Sequence, residues 1–301
     1  MRDLFRSFRS LSNPTRAAPQ GYHERTRRLF IQRRNQNLIQ AAGTTLALIY
    51  HQTVYNLRTD HRNPIIGLLL TILQTVVFMA AFLLIFLVIG IRQSPIRGDF
   101  MMYIMSGIFL FMTHVKTVGA VASSHSVSGG LTQHEPLNPA VLIAAAALTV
   151  LYRQTISILA ILGLYNVLLN PVTLAHPVGC VAMYLQAWFS GACVGLVFLG
   201  IRPWAPKASQ LLTTVYQRIN MFASGKMFVA NVLPNFMLPW FIWNPLFHII
   251  DQARGDIFVN YTPQKTDPYY AIWFSLAAMM LGLLINFTTR KYESLSWSAG
   301  H

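Results

Sequence analysis

Five stretches of this chain, residues 65–91, 100–121, 140–169, 178–201 and 269–288, are each apolar for about the length of a bilayer-crossing helix. A hydrocarbon core of ~30 Å takes ~20 residues of helix, and inside it the backbone must satisfy its own hydrogen bonds. That condition restricts the chain to an all-α architecture. A sixth stretch, 210–232, has the length but carries Arg218, Asn220, Ser224, Gly225 and Lys226. Counting it gives a polytopic membrane protein with six transmembrane helices and both termini on one side. The composition agrees, since 54% of the residues are hydrophobic and 11% are charged, less than half the charge usual in a soluble domain.

Short loops on the cytoplasmic side hold an excess of Arg and Lys, and nine arginines fall within the first 34 residues, against Asp3 and Glu24. Both termini are therefore expected to be cytoplasmic. Much of the net charge of +14 lies in that arm, where it suits anionic lipid better than nucleic acid. Residues 1–43 read as a basic arm, largely disordered, with no signal-peptide core or cleavage site. From Thr44 to His61 the apolar residues Leu46, Ile49, Tyr50, Val54 and Leu57 recur at helical spacing among polar ones, which predicts an amphipathic interfacial helix. Cys180 and Cys193 share one apolar run, 13 positions apart, too far for a disulfide within a helix. The chain has no zinc-ligand spacing and no phosphate-loop motif, so no metal or cofactor is expected on it.

Between the last two candidate spans, residues 231–268 hold balanced charge and two apolar pieces too short to cross. They predict re-entrant half-helices, Asn231 to Trp243 and Asn244 to Asn260, punctuated by Pro234, Pro239 and Pro245. The segment WNPLFHIIDQARGDIF sets His248, Asp251 and Arg254 three residues apart, on one helix face. Polar groups so placed are costly to bury unless they pair or meet water. Lys116, with His114 close by, and Lys226 are the charges deepest in the candidate spans.

Several short motifs occur in an order and spacing that resemble one family. An amphipathic helix leads into span one at YNLRTDHRNPIIG, 55–67, and Ser106-Gly107 lies in span two. Ser224-Gly225, then Asn231, Leu233 and Pro234, then Asn244, Pro245, His248, Asp251 and Arg254 complete the series. Over about residues 44–295 the chain resembles the inner-membrane permease subunits of type-2 ABC exporters for capsular and related cell-surface polysaccharides. Asp251 stands where that family often has Glu, and Gly255-Asp256 replaces a His-Gly or Glu-Gly pair.

The resemblance implies that 44–301 is a transmembrane domain of that type. It implies a homodimer on two ATP-binding subunits, which would hold the ATP and magnesium, and a multi-pass place in the bacterial inner membrane. The cargo would be a polysaccharide, expected on a lipid anchor, with room for periplasmic and outer-membrane export proteins as further partners. Leu131, Thr132, Gln133, His134, Glu135 and Pro136 occupy the family's place of contact with the ATPase; a solvated loop is the plainer reading of the same residues. Asn244, Pro245, His248, Asp251 and Arg254 would form a periplasmic gate held by a hydrogen-bonded or ionic cluster. Lys226, Trp240 and Phe241 would line the substrate conduit, with an interfacial aromatic belt as the plainer reading of the rings. The rival from another class is a membrane-embedded acyl or glycosyl transferase using His248 as base and Asp251 as its orienter. A secondary transporter is disfavoured, because no acidic residue lies well inside a span.

Overall fold

The computed structural model describes residues 38–59, 63–90, 95–127 and 138–298. They form eight α-helices: α1 Leu38–Thr59, α2 Pro64–Ile89, α3 Phe100–Val127, α4 Pro139–Leu168, α5 Pro177–Ile201, α6 Pro206–Ala223, α7 Pro245–Ile257 and α8 Pro268–Ser298. Six of the eight open on proline, whose fixed φ suits the first helical position and whose missing N–H would have no partner there. α2 stops at Gly90, which takes φ 83° and donates its N–H to Leu87 O. Among the described residues there is no strand, and five helices, α2 to α5 and α8, are long and apolar enough to cross a membrane. The chain is an all-helical, multi-pass membrane protein.

The helices pack around α3. Of its most apolar stretch 78% is buried, against 17% for α2 and for α8, so α3 is the axis and the other two present apolar sides outward. α3 packs on α2, α4, α5, α6 and α7, and α8 packs on α5 and α7. The α3–α5 contact is close because α5 offers glycines to it. A Cβ at Gly191 would lie 2.6 Å from His114 O, and one at Gly195 would lie 2.8 Å from Val118 O. Small residues let two helix backbones approach where no hydrophobic drive separates protein from lipid. Replacing Gly195 with Leu should therefore force α3 and α5 apart, at ~1–3 kcal/mol for overpacking. A lower midpoint in thermal unfolding of the purified chain would register it.

At one end of the bundle the Tyr165 hydroxyl and Asn170 Nδ2 donate to the Asp99 carboxylate, tying α4 to the start of α3. At the other end Arg202 donates to Ala122 O at 3.0 Å and Trp204 Nε1 to Thr289 Oγ1 at 2.8 Å. By contact the chain divides into 1–44 and 45–301. Of the first unit only the opening of α1 is described: within the arm expected to be largely disordered, 1–43, residues 38–43 are helical and 1–37 lie outside the described residues.

Three expectations change in detail. The amphipathic helix begins at Leu38 rather than at Thr44 and is described as far as Thr59; its expected end at His61 lies outside the described residues. The stretch 210–232 is not one helix: α6 ends at Ala223, Gly225 takes φ 71°, and one 3₁₀ turn, Ala230–Val232, follows. Glycine at a positive φ ends the helical path there. The first predicted half-helix is likewise no helix, because Pro234 and Pro239 lie too close together for an α-helix to form between them. Only a second 3₁₀ turn, Leu238–Trp240, occurs before α7.

Candidate functional site

α7 is short, 13 residues, yet almost wholly buried against α3, α5 and α8. The sequence starts it well. Asn244 caps it through Oδ1, which accepts Leu246 N–H at 3.0 Å, and Pro245 fills the first helical position. The same Asn244 donates through Nδ2 to Asn220 Oδ1 at 2.9 Å and to Ala223 O at 3.0 Å. One side chain thus caps α7 and also satisfies the open end of α6.

His248, Asp251 and Arg254 share a buried face of α7, as their spacing predicts, but they do not form one cluster with each other. Each holds a different piece of the surrounding loops. The His248 Nδ1 accepts Asp267 N–H at 2.9 Å, so the ring proton sits on Nε2, which meets Ile242 O at 2.7 Å. Asp251 Oδ1 accepts from Ala230 N–H at 3.2 Å and Tyr261 Oη at 2.6 Å, and its Oδ2 accepts from Thr266 Oγ1 at 2.8 Å. Burial and the bond to that carboxylate both push the Tyr261 phenol above its ordinary range, so it stays a donor.

Arg254 is fully buried. Its guanidinium donates to three carbonyls, Gly225 O at 2.9 Å, Phe228 O at 2.6 Å and Lys226 O at 2.6 Å, and lies 4.2 Å from the centre of the Tyr103 ring. A planar fork of donors suits this task, since it meets several carbonyls at once. The corrected picture is a peg: α7 fastens segments 225–230, 242 and 261–267 through three side chains on one face. The separation has a physical reason. Carbonyls freed where α6 breaks off have no helical partner, and Arg254 supplies their donors.

The peg also needs its glycines. A Cβ at Gly225 would meet the Phe247 ring at 2.4 Å, and a Cβ at Gly107 would lie 2.9–3.0 Å from Lys226 Cβ, Cα and O. Both glycines of the paired motifs therefore stand where backbone and ring press closest. Asp251→Asn should loosen the peg, because an amide turns one acceptor into a donor facing the donors of Tyr261 or Thr266. The expected loss is ~1–3 kcal/mol, with Tyr261→Phe costing less, both read as faster proteolysis of the 224–243 segment.

The three residues expected in the conduit do not line one surface of the chain. Lys226 is buried, with its ammonium bonded to Met221 O and lying 3.8 Å from the Phe111 ring centre and 4.9 Å from that of Phe82. Rings on its faces compensate part of the lost hydration. Phe241 packs edge-on against Phe228 at 4.8 Å between centres, and Trp240 is exposed. His114 is buried in a polar contact with Ser190 at 2.9 Å and Tyr216 at 2.9 Å, which makes it a link between α3, α5 and α6. Leu131 to Pro136, the expected ATPase contact, lie outside the described residues.

Sequence reasoning missed Tyr103, Asn220, Tyr261 and Thr266. Their partners come from loops and from neighbouring helices, which no periodicity reports. For the transferase alternative the geometry is unfavourable. Both ring nitrogens of His248 are engaged by backbone atoms, and Asp251 orients loop donors rather than the imidazole.

No protein-family model matches the chain. Two curated proteins do. It is 23% identical over 242 residues, 77% of this chain and 88% of the relative, to a polysialic acid transport protein KpsM of Escherichia coli. It is 24% identical over 209 residues, 66% of this chain and 76% of the relative, to a second E. coli protein of that name. These matches bear out the resemblance carried by the motifs, which is to the permease subunits of type-2 ABC exporters of cell-surface polysaccharide.

Proposed function

We propose that this chain is the membrane-spanning permease subunit of an ATP-driven exporter that moves a cell-surface polysaccharide, lipid-linked, across the bacterial inner membrane. The observation that carries this reading is the similarity to the two transport proteins over most of the chain's length and theirs. The helical, largely apolar build supports it, with α2 to α5 and α8 as five crossings. In this reading α6 with the turns that follow it makes the sixth crossing, α1 lies in the interface, and α7 with segment 231–243 re-enters from the periplasmic side. Both termini then face the cytoplasm.

Two copies would enclose the conduit, and of Lys226, Trp240 and Phe241 the exposed Trp240 is the candidate for contact with glycan, since Lys226 is buried and Phe241 packs on Phe228. The pegged loops held by Asn244, Pro245, His248, Asp251 and Arg254 would be the periplasmic gate. The chain has no phosphate-loop motif, so the work would come from two ATP-binding subunits through Leu131 to Pro136. Export partners in the periplasm and outer membrane complete the assembly.

The test is vanadate-sensitive ATP hydrolysis by the cognate ATP-binding subunit, reconstituted with and without this chain. Stimulation by the chain is expected, and it should vanish when residues 131–138 are replaced by a Gly-Ser linker. An ATPase that neither binds nor responds would overturn the assignment.

A further inference from the structure

α6 has three sides. Ser209, Thr213, Gln217 and Asn220 turn to the bundle, where Ser209 Oγ donates to Phe198 O at 2.6 Å and Gln217 Nε2 to Val115 O at 3.1 Å. A second side, with Leu212, Val215 and Ile219, is exposed and apolar. At 100° per residue the third side, Lys207, Gln210, Thr214 and Arg218, falls within about 80° of the helix circumference, and all four residues are exposed. A crossing helix at the edge of a bundle uses one side against protein and one apolar side against lipid. A charged side is kept for the bundle interior or a water-filled space.

The depth of the stripe sharpens the point. Gln217, the neighbour of Arg218, reaches Val115 in the middle of α3, and Lys226 lies on the Phe111 ring of the same helix. α6 and the turn after it therefore run alongside the buried axis of the bundle. Arg218 comes ~18 Å along α6 from its start, far from the inner headgroups. Among the described residues neither Lys207 nor Arg218 has a partner, and the sequence holds no Asp or Glu from 136 to 250. Lipid tails would leave the Arg218 charge unanswered. The same stripe of a second copy, pressed against it, would set Arg218 against Arg218.

We propose that this stripe is the glycan-facing wall of the conduit and that Arg218 binds the carboxylate or phosphate groups of an acidic polysaccharide. The inference rests on the exporter reading and deepens it, by giving the cargo a charge and the conduit a wall. Lys207 meets the polymer at the inner mouth. Gln210 offers its amide to sugar hydroxyls, and the Thr214 hydroxyl, which donates to Gln210 O at 2.9 Å, still accepts from them. A neutral polymer would have no use for two cations without a carboxylate between them.

The experiment uses inverted inner-membrane vesicles holding the full chain with its ATP-binding subunit, in a Cys180→Ser, Cys193→Ala background. Thr214→Cys on the stripe and Ile219→Cys on the apolar side are each exposed to an anionic and a cationic methanethiosulfonate. Thr214→Cys should react with both and Ile219→Cys with neither. The anionic reagent should react roughly tenfold faster than the cationic one, the lower end of what a charged cleft does to local ion concentration. Adding Arg218→Gln should bring that ratio close to one. In cells carrying the native cysteines, Arg218→Gln should lower export at least tenfold per membrane-bound chain, Arg218→Lys should keep part of it, and the exported polymer should carry acid groups. Should the cysteine-free background fail to fold, the export measurements still decide. Equal labelling of Thr214→Cys and Ile219→Cys, a ratio indifferent to Arg218, unchanged export in Arg218→Gln, or a neutral polymer would each overturn the inference. Export that ignores Arg218 fails this inference alone, whereas no export by the unaltered chain fails the exporter reading and takes the glycan with it.

Discussion

Arg254→Ala is expected to reduce polysaccharide export at least tenfold while leaving the chain in the membrane. Removing the guanidinium strips donors from Gly225 O, Lys226 O and Phe228 O; Gly225 O keeps the Phe228 N–H at 3.3 Å, and each buried group left unpaired costs ~1–3 kcal/mol. Two such losses in one loop are comparable to the few kcal/mol that bias a two-state element. The damage is confined to the α7 peg, whereas insertion depends on the apolar helices α2 to α5 and α8, so the amount of chain in the membrane fraction should stay near normal. Arg254→Lys should recover part of the function only, since one ammonium cannot reproduce a planar fork. Surface polysaccharide per unit of membrane-bound chain is the quantity to measure. Unchanged export in Arg254→Ala would remove the gate from the account.

Gly225→Ala is expected to be nearly as damaging through two additive causes. The backbone sits at φ 71°, which costs an L-residue roughly 1–2 kcal/mol. The new Cβ would also lie 2.4 Å from the Phe247 ring, and overpacking of that kind costs ~1–3 kcal/mol. The double variant Gly225→Ala with Phe247→Ala separates them. It should relieve the clash and leave the strain, so that its loss is smaller than the sum of the single losses, in a double-mutant cycle read by thermal unfolding. A Gly225→Ala chain as stable as the parent would mean that the turn does not need this conformation.

The long apolar helices were legible because lipid imposes one rule on every residue of a span, and composition alone reports it. The α6 region was harder to read. Arg218, Asn220 and Lys226 already spoke against a simple crossing, and Ser224-Gly225 was the visible sign of the break, but length alone favoured a sixth run. Pro245 after Asn244 marked the start of α7 correctly, whereas Pro234 and Pro239 allowed only 3₁₀ turns where a half-helix was expected. The common face of His248, Asp251 and Arg254 followed from spacing. Their partners did not, because Asp267 N–H, Ala230 N–H and the 225–228 carbonyls are main-chain groups of irregular loops, and side-chain identity carries no record of them. The buried place of Lys226 was equally hidden, since Phe78, Phe82 and Phe111 come from α2 and α3, far away in sequence.

The most direct test of the central claim is ATP-dependent movement of labelled, lipid-linked polysaccharide into inverted inner-membrane vesicles containing this chain and its ATP-binding subunit. Uptake that requires both proteins and ATP, and that falls to background with Arg254→Ala, is the predicted result. Uptake that proceeds without the chain, or a chain that modifies the glycan instead of moving it, would contradict the account.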